Sequence, residues 1–141
     1  KQSGLKPRIH ADELAASGGS VVAAQVGARS ADHLIFADSN SIAALARAGV
    51  TATLLPNAAF YLKLGRFAPA RALIEAGVPV AIATDVNPGG GFSPSMGFAL
   101  PLSCFSLDLT FEGGHVAAAG YSSYVDREAT IAALRAQLAL R

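Results

Sequence analysis

The sequence predicts an α/β fold, a partial (β/α)8 TIM-like barrel of about four βα units, on three observations. Short apolar or β-branched runs alternate with stretches of helical spacing through residues 1–110, as parallel strands joined by crossover helices require. At 141 residues the chain has the length of one domain, whereas eight βα units need about 250. Finally, polar side chains able to bind metal or move protons directly follow strand-like runs at His10-Ala11-Asp12-Glu13, Ser30-Ala31-Asp32-His33 and Thr84-Asp85-Val86-Asn87-Pro88-Gly89. A barrel gathers such groups at the C-terminal ends of its strands.

The elements follow in order. Lys6 to Ala11 is a short strand ending at His10. Leu14 to Ala16 and Val21 to Val26 frame a helical segment interrupted at Gly18-Gly19, with Ser17 or Ser20 as its cap. Ala31 to Phe36 is the second strand. Ser39 to Ala48 places Ile42, Leu45 and Ala46 at helical spacing, with Ser39 or Ser41 as N-cap and Gly49 at the left-handed C-terminal position. Val50 to Leu55 is β-branched and apolar and stops at Pro56, after which Phe60, Tyr61 and Lys63 fall in a loop. Pro69 to Ala76 is a helix with proline in its first turn and Gly77 just past its end. Val78 to Ala83 is a continuous apolar run of the buried parallel kind, and it delivers Thr84-Asp85. Gly89-Gly90-Gly91 then leads to a helix near Ser95 to Phe105.

Residues 111–141 form a second segment. Glu112 to Tyr124 is rich in small residues and Asp126 to Leu140 is helical in composition, so a helical C-terminal extension is expected, although Gly113, Gly114 and Gly120 sit badly inside helices. Lys1 directly precedes strand-like material and Arg141 falls in a helix or its exit, so both ends are expected to be cuts.

Composition narrows the function classes. Hydrophobic residues make up 52% and charged residues 15%, which excludes a disordered chain. A net charge of +1 without a basic cluster argues against nucleic acid or an anionic membrane as partner. No apolar run approaches the roughly 20 residues of a membrane span, and no signal peptide is visible. The lone Cys104 forms no internal disulfide, which fits a reducing compartment, so a cytoplasmic location is expected.

The strand-end groups have a chemistry in common. His10 offers an imidazole ligand for zinc or iron and Asp85 an oxygen ligand. A cation so held brings the pKa of a coordinated water to about 7. His33 is placed to position that water and take its proton, and Glu13 to accept hydrogen bonds from a substrate N–H. Taken singly, each has an ordinary structural reading: a packed or surface histidine, a turn-capping Asp85, a solvated Glu13 at a helix start, a turn at Asn87-Pro88-Gly89. Their joint placement, one group per βα unit, points to a metal-dependent hydrolase. Other chemistries lack their motifs: the glycines form no dinucleotide fingerprint, Ser93 and Ser95 lack a nucleophile elbow, His115 reads as surface and Cys104 as core.

The run Lys6-Pro-Arg-Ile-His-Ala-Asp-Glu13, with Ser30-Ala-Asp-His33, Leu54-Leu-Pro56 and Ala81-Ile-Ala-Thr-Asp85-Val-Asn-Pro-Gly89, resembles the imidazolonepropionase family, metal-dependent cyclic amidohydrolases of histidine degradation. The resemblance covers about residues 4 to 110; Thr-Asp-x-Asn-Pro-Gly together with His-Ala-Asp-Glu is its most specific part. It implies the C-terminal half of an amidohydrolase barrel, with His10 and Asp85 as ligands of one zinc or iron ion. It further implies that Glu13 contacts the imidazolone ring and that His33 activates water with help from Asp85. On the same resemblance, Asn87 and the backbone around Gly89 and Gly90 would hold the small-molecule substrate. The implied reaction is hydrolysis of 4-imidazolone-5-propanoate to N-formimidoyl-L-glutamate.

The departures are a missing His-x-His metal pair, missing first-half substrate-binding residues, and Glu112-Gly113-Gly114-His115 in place of the family's helix-forming continuation. The expected partner is therefore the missing N-terminal half, and the chain alone is expected to be inactive. Two alternatives stay open: another amidohydrolase such as a nucleobase deaminase, and a non-catalytic half-barrel that folds by pairing, with its missing half or as a homodimer.

Overall fold

The computed structural model describes residues 4–91, 93–109 and 116–118. Five parallel strands form one sheet in the order β1-β2-β3-β4-β5: β1 (Arg8–Ala11), β2 (Ser30–His33), β3 (Thr51–Leu54), β4 (Val80–Ile82) and β5 (Val116–Ala118). Between them run α1 (Gly19–Gln25), α2 (Ser39–Ala48), α3 (Pro56–Tyr61), α4 (Ala70–Glu75) and α5 (Met96–Ser106). Strand order that follows chain order, with a helix in each connection, belongs to a singly wound α/β sheet; a doubly wound sheet reverses direction midway.

Alternation along the strands separates two faces. Ala11, Ala31, Ala52, Leu54, Val80 and Ile82 enter one core with Ala23 of α1, Ile42 and Leu45 of α2, Leu73 of α4 and Ala99 of α5. On β1 to β3 the intervening residues are polar, Arg8 and His10, Ser30 and Asp32, Thr51 and Thr53, whereas on β4 the intervening residue is Ala81. Arg8 Nε donates to Ser30 Oγ at 2.9 Å, and Ser30 Oγ donates to Asp32 Oδ1 at 2.8 Å. The sheet thus buries an apolar face under its helices and carries hydrogen-bonded polar side chains on the other.

Several local expectations are corrected. The strand after Arg29 stops at His33 instead of running to Phe36. Leu34 N donates to Ala11 O and Phe36 N to Asp12 O, so the chain turns across the end of β1 despite the strand propensity of Leu34-Ile35-Phe36. Residues after Pro56 form α3 rather than a loop, with proline at the first helical position, where its missing N–H costs nothing. The N-cap of α2 is Asp38, whose carboxylate accepts from Ser41 N at 2.8 Å; neither serine caps it. Gly18 stands at the N-cap of α1, and Ser17 and Ser20 bind Asp12 instead. In the segment expected to be a helical extension, Val116–Ala118 pairs with β4 as a fifth strand. The remainder of 110–141, including His115 and the expected helix from Asp126 to Leu140, lies outside the described residues. Among the described residues no helix is long and apolar enough to cross a membrane.

Candidate active site

The exits of β1, β2 and β4 share a backbone device. Asp12 (φ 49°), His33 (φ 74°), Leu34 (φ 60°) and Asp85 (φ 52°) all lie in the left-handed region. Non-glycine residues there are uncommon and carry strain, which the surrounding contacts must overcome. At β1 that contact is the Asp12 carboxylate, buried to 3% exposure. It accepts from Ser17 N (2.9 Å), Ser17 Oγ (3.0 Å), Gly19 N (3.1 Å), Ser20 N (3.1 Å) and Ser20 Oγ. These bonds tie the end of β1 to the first turn of α1, and burial alone would have raised the Asp12 pKa. The bonds from Ser20 and Ser17 outweigh burial and leave the carboxyl below its ordinary value.

The turn brings Glu13 back toward β2. Glu13 Oε1 lies 3.5 Å from His33 Nδ1, and His33 Nε2 lies 3.1 Å from His10 Nδ1. The two imidazoles are tilted by 53° with centroids 4.8 Å apart. Their approach follows from strand register, since β1 and β2 pair His10 with Asp32 and Ala11 with His33. His10 is exposed, Glu13 half-buried and His33 buried to 2%. Burial, then the charge of His10, pulls the His33 pKa down to about 4, with Asp32 opposing. His33 is therefore neutral at pH 7, with a lone pair on one ring nitrogen to accept a proton. Burial raises the pKa of Glu13; His10 draws it down and Asp85 adds to the rise.

Asp85 stands at the end of the third of these exits. Burial raises its pKa, the charge of His10 and a bond from Asn87 lower it, and Asp32 raises it further. Asn87 organises the loop: its Nδ2 donates to Asp85 O (2.9 Å) and Asp85 Oδ1 (3.0 Å), and its Oδ1 accepts from Gly89 N (2.8 Å) and Gly90 N (2.6 Å). A Cβ on Gly90 would lie 2.9 Å from Asp85 Oδ2 and 3.1 Å from Asn87 Nδ2, so a side chain there must displace the Asp85 carboxylate or the Asn87 amide. Gly90→Ala is expected to leave stability within about 1 kcal/mol, the loop being exposed, while shifting the Asn87 side-chain amide resonances in NMR spectra. An unchanged amide pair would show that the loop absorbs the methyl without moving Asp85.

The structure therefore brings together His10, Glu13 and His33 by direct distance, and links Asp85 to His10, Glu13 and Asp32 by charge. Asn87, Gly89 and Gly90 are joined to Asp85 within one loop. Imidazole nitrogen with carboxylate oxygen is a donor set suited to zinc or iron, and the buried His33 Nδ1 has no hydrogen-bond partner. Asp12, Ser30 and Asp32 were missed as functional candidates. The period-two recurrence of polar residues, Arg8/His10 and Ser30/Asp32, was the available signal for the last two. Asp12 carried no signal beyond its place between His10 and Glu13.

Comparison with known proteins adds an independent line. No family model matches the chain. Over 110 residues, 78% of the chain, it is 52% identical to "Imidazolonepropionase" of Anaeromyxobacter dehalogenans (strain 2CP-C), covering 26% of that protein. It is 53% identical over 112 residues to the protein of that name from Shouchella clausii (strain KSM-K16), with 79% and 25% covered. The match to the Alkaliphilus metalliredigens (strain QYMF) protein of that name is 38% over 135 residues, 95% of the chain and 32% of the relative. Over about 78% of its length the chain is thus similar, at about 50% identity, to proteins named imidazolonepropionase. It spans about a quarter of the length of the curated relatives it matches. All four strand-exit motifs quoted for the resemblance fall within its described residues.

Proposed function

We propose that the chain supplies one half of the active site of a metal-dependent cyclic amidohydrolase that converts 4-imidazolone-5-propanoate to N-formimidoyl-L-glutamate in histidine degradation, in the cytoplasm. The observation that carries this reading is the buried, neutral imidazole of His33 held between His10 (3.1 Å) and Glu13 (3.5 Å) at the strand C-termini. His10 and Asp85 would hold one zinc or iron ion, which when bound supplies acidity to the attacking water. The sheet would then be part of a (β/α)8 barrel, closed by the partner half that carries the remaining ligands.

His33 accepts a proton from water as its oxygen bonds to the ring carbonyl carbon. The ring C–N bond breaks, and the proton passes to the departing nitrogen, with Asp85 helping to shuttle it. Glu13 accepts a hydrogen bond from the ring N–H and fixes the ring's orientation. Asn87 holds Asp85 and, with the backbone at Gly89 and Gly90, borders the place of the substrate. The isolated chain is inactive, because a cation with two protein ligands is held weakly and half the substrate contacts are missing.

Co-expression with an N-terminal half supplying a His-x-His pair tests this. Turnover of imidazolonepropionate is expected only in the complemented pair, and His33→Ala is expected to lower kcat on the order of 10²–10⁴-fold. A soluble, folded, metal-loaded complex without turnover would leave a non-catalytic half-barrel that folds by pairing. Turnover of guanine or cytosine in place of imidazolone would assign a deaminase.

A further inference from the structure

The exits of β1 and β4 are held in different ways. Asp12, at φ 49°, is fixed by donors from the start of the next helix. Asp85, at φ 52°, is bonded to Asn87 through its carbonyl and its carboxylate, and Asn87 in turn to Gly89 and Gly90. A backbone bridge closes the loop, Asn87 N donating to Gly91 O at 3.0 Å and Gly91 N to Asn87 O at 3.4 Å. Among the described residues, all of these bonds lie within residues 85–91. They fix the shape of the loop and leave its placement on the sheet to packing, although a backbone in the left-handed region persists only where its surroundings hold it. Tyr61 is a side chain that meets the loop there. A Cβ on Gly91 would stand 3.7 Å from Tyr61 Cδ2, an ordinary contact, and 3.4 and 3.6 Å from the carbonyl oxygens of Asp85 and Thr84. The ring and the exit of β4 thus flank one position, with a methyl's width between them. The ring is itself braced: Phe60 lies edge-on to Tyr61 at 5.8 Å and to Phe98 of α5 at 5.6 Å, a geometry that aromatic rings favour. Polar anchors do not place α3, since its N-cap makes no side-chain bond and neither amide atom of the buried Asn57 has a hydrogen-bond partner.

We propose that Tyr61 is a positioning residue: its ring, braced by Phe60 and Phe98, is the backstop that keeps the Asn87–Gly91 bridge, and through it the Asp85 carboxylate, aimed at the site. It acts on the loop and touches neither substrate nor cation. The consequence for turnover rests on the proposed function, because that reading gives Asp85 its part in the reaction.

The experiment has two readouts. In NMR spectra of the full chain, Tyr61→Ala is expected to shift the Asn87 side-chain amide resonances with an unchanged far-ultraviolet CD spectrum, while Tyr61→Phe keeps them in place. Ile42→Val, a core change on α2, controls for lost stability and is expected to leave them in place too. Should Tyr61→Ala fail to fold, Tyr61→Leu, which keeps an apolar side chain on α3 without the ring, is read in the same way. Asn87 resonances that stay put without the ring, or that move as far in Ile42→Val, overturn the inference. In the complemented pair, loss of the ring is expected to lower kcat about ten- to a hundredfold and to change KM by less than about threefold, with Tyr61→Phe restoring both. A rise in KM with kcat unchanged would make the ring a substrate contact and overturns the inference as well. If the wild-type pair shows no turnover, the proposed function falls, and the Asn87 resonances of the chain alone still decide whether Tyr61 places the loop.

Discussion

Replacing Asp12 with alanine is expected to destabilise the chain by about 3–5 kcal/mol. The carboxylate is buried and accepts from three peptide N–H groups and two hydroxyls. Hydrogen bonds to an ionised group contribute about 1.5–3 kcal/mol each, and a buried donor left without a partner costs about 1–3 kcal/mol. Alanine leaves Gly19 N and Ser20 N, the opening donors of α1, without their acceptor. It must also hold φ near 49°, where alanine is less tolerated than aspartate or asparagine. Asp12→Asn keeps the shape and the backbone preference, so its cost is expected to be about half. Urea unfolding of the two variants beside the wild type measures both. A loss below about 1 kcal/mol for alanine would mean that water replaces the carboxylate, and that the strand exit is not pinned there. The consequence reaches the site, because Asp12 lies between His10 and Glu13 and its carbonyl receives Phe36 N just beyond His33.

The second large effect is loss of stability in mild acid, measured with a chelator present. The folded chain holds the His33 pKa down to about 4 against an ordinary 6.5. Between those values the unfolded chain binds the proton and the folded chain does not, so stability falls as pH drops from about 6.5 to about 4. At 1.36 kcal/mol per unit the full difference amounts to about 3 kcal/mol. Glu13 and Asp85 have raised pKa values and act in the opposite sense: their contributions are full at low pH and fade as pH rises through their folded values. Comparison with His33→Gln isolates the histidine. The wild type is expected to lose stability through the window while the variant's curve is flatter, and parallel curves would mean that His33 titrates as an exposed imidazole. An NMR titration of the ring protons reads the same quantity directly.

How much of this was open to reading one residue after another is clearest where sequence and structure part. Ser39–Ala48 was legible to the residue, because its apolar spacing is helical and Gly49, at φ 64°, closes it with a left-handed turn. The strands of residues 1–110 were found in order, each within a few residues, because buried parallel strands are short apolar runs bounded by glycine, proline and polar residues. Pro56–Tyr61 was read as a loop. Six residues cannot hold a helix on propensity alone, and what holds this one is packing: Phe60 lies edge-on against Phe98 of α5 at 5.6 Å.

The candidate site divides in the same way. That His10 and Asp85 stand at or just past strand ends was determined by the sequence, since local hydrophobic pattern decides where those strands stop, whereas the apolar run on to Phe36 hid the strand end at His33. Which atoms meet was not so determined. The 3.1 Å approach of His10 and His33, residues 23 apart in the chain, depends on the register between β1 and β2. The turn of β2 at His33 depends on bonds from Leu34 and Phe36 to the end of β1. The role of Asp12 depends on donors from the start of the next helix. Local pattern is written in neighbouring residues, whereas register and the aim of a side chain at a strand exit come from contacts between segments distant in sequence, and only the folded sheet decides them.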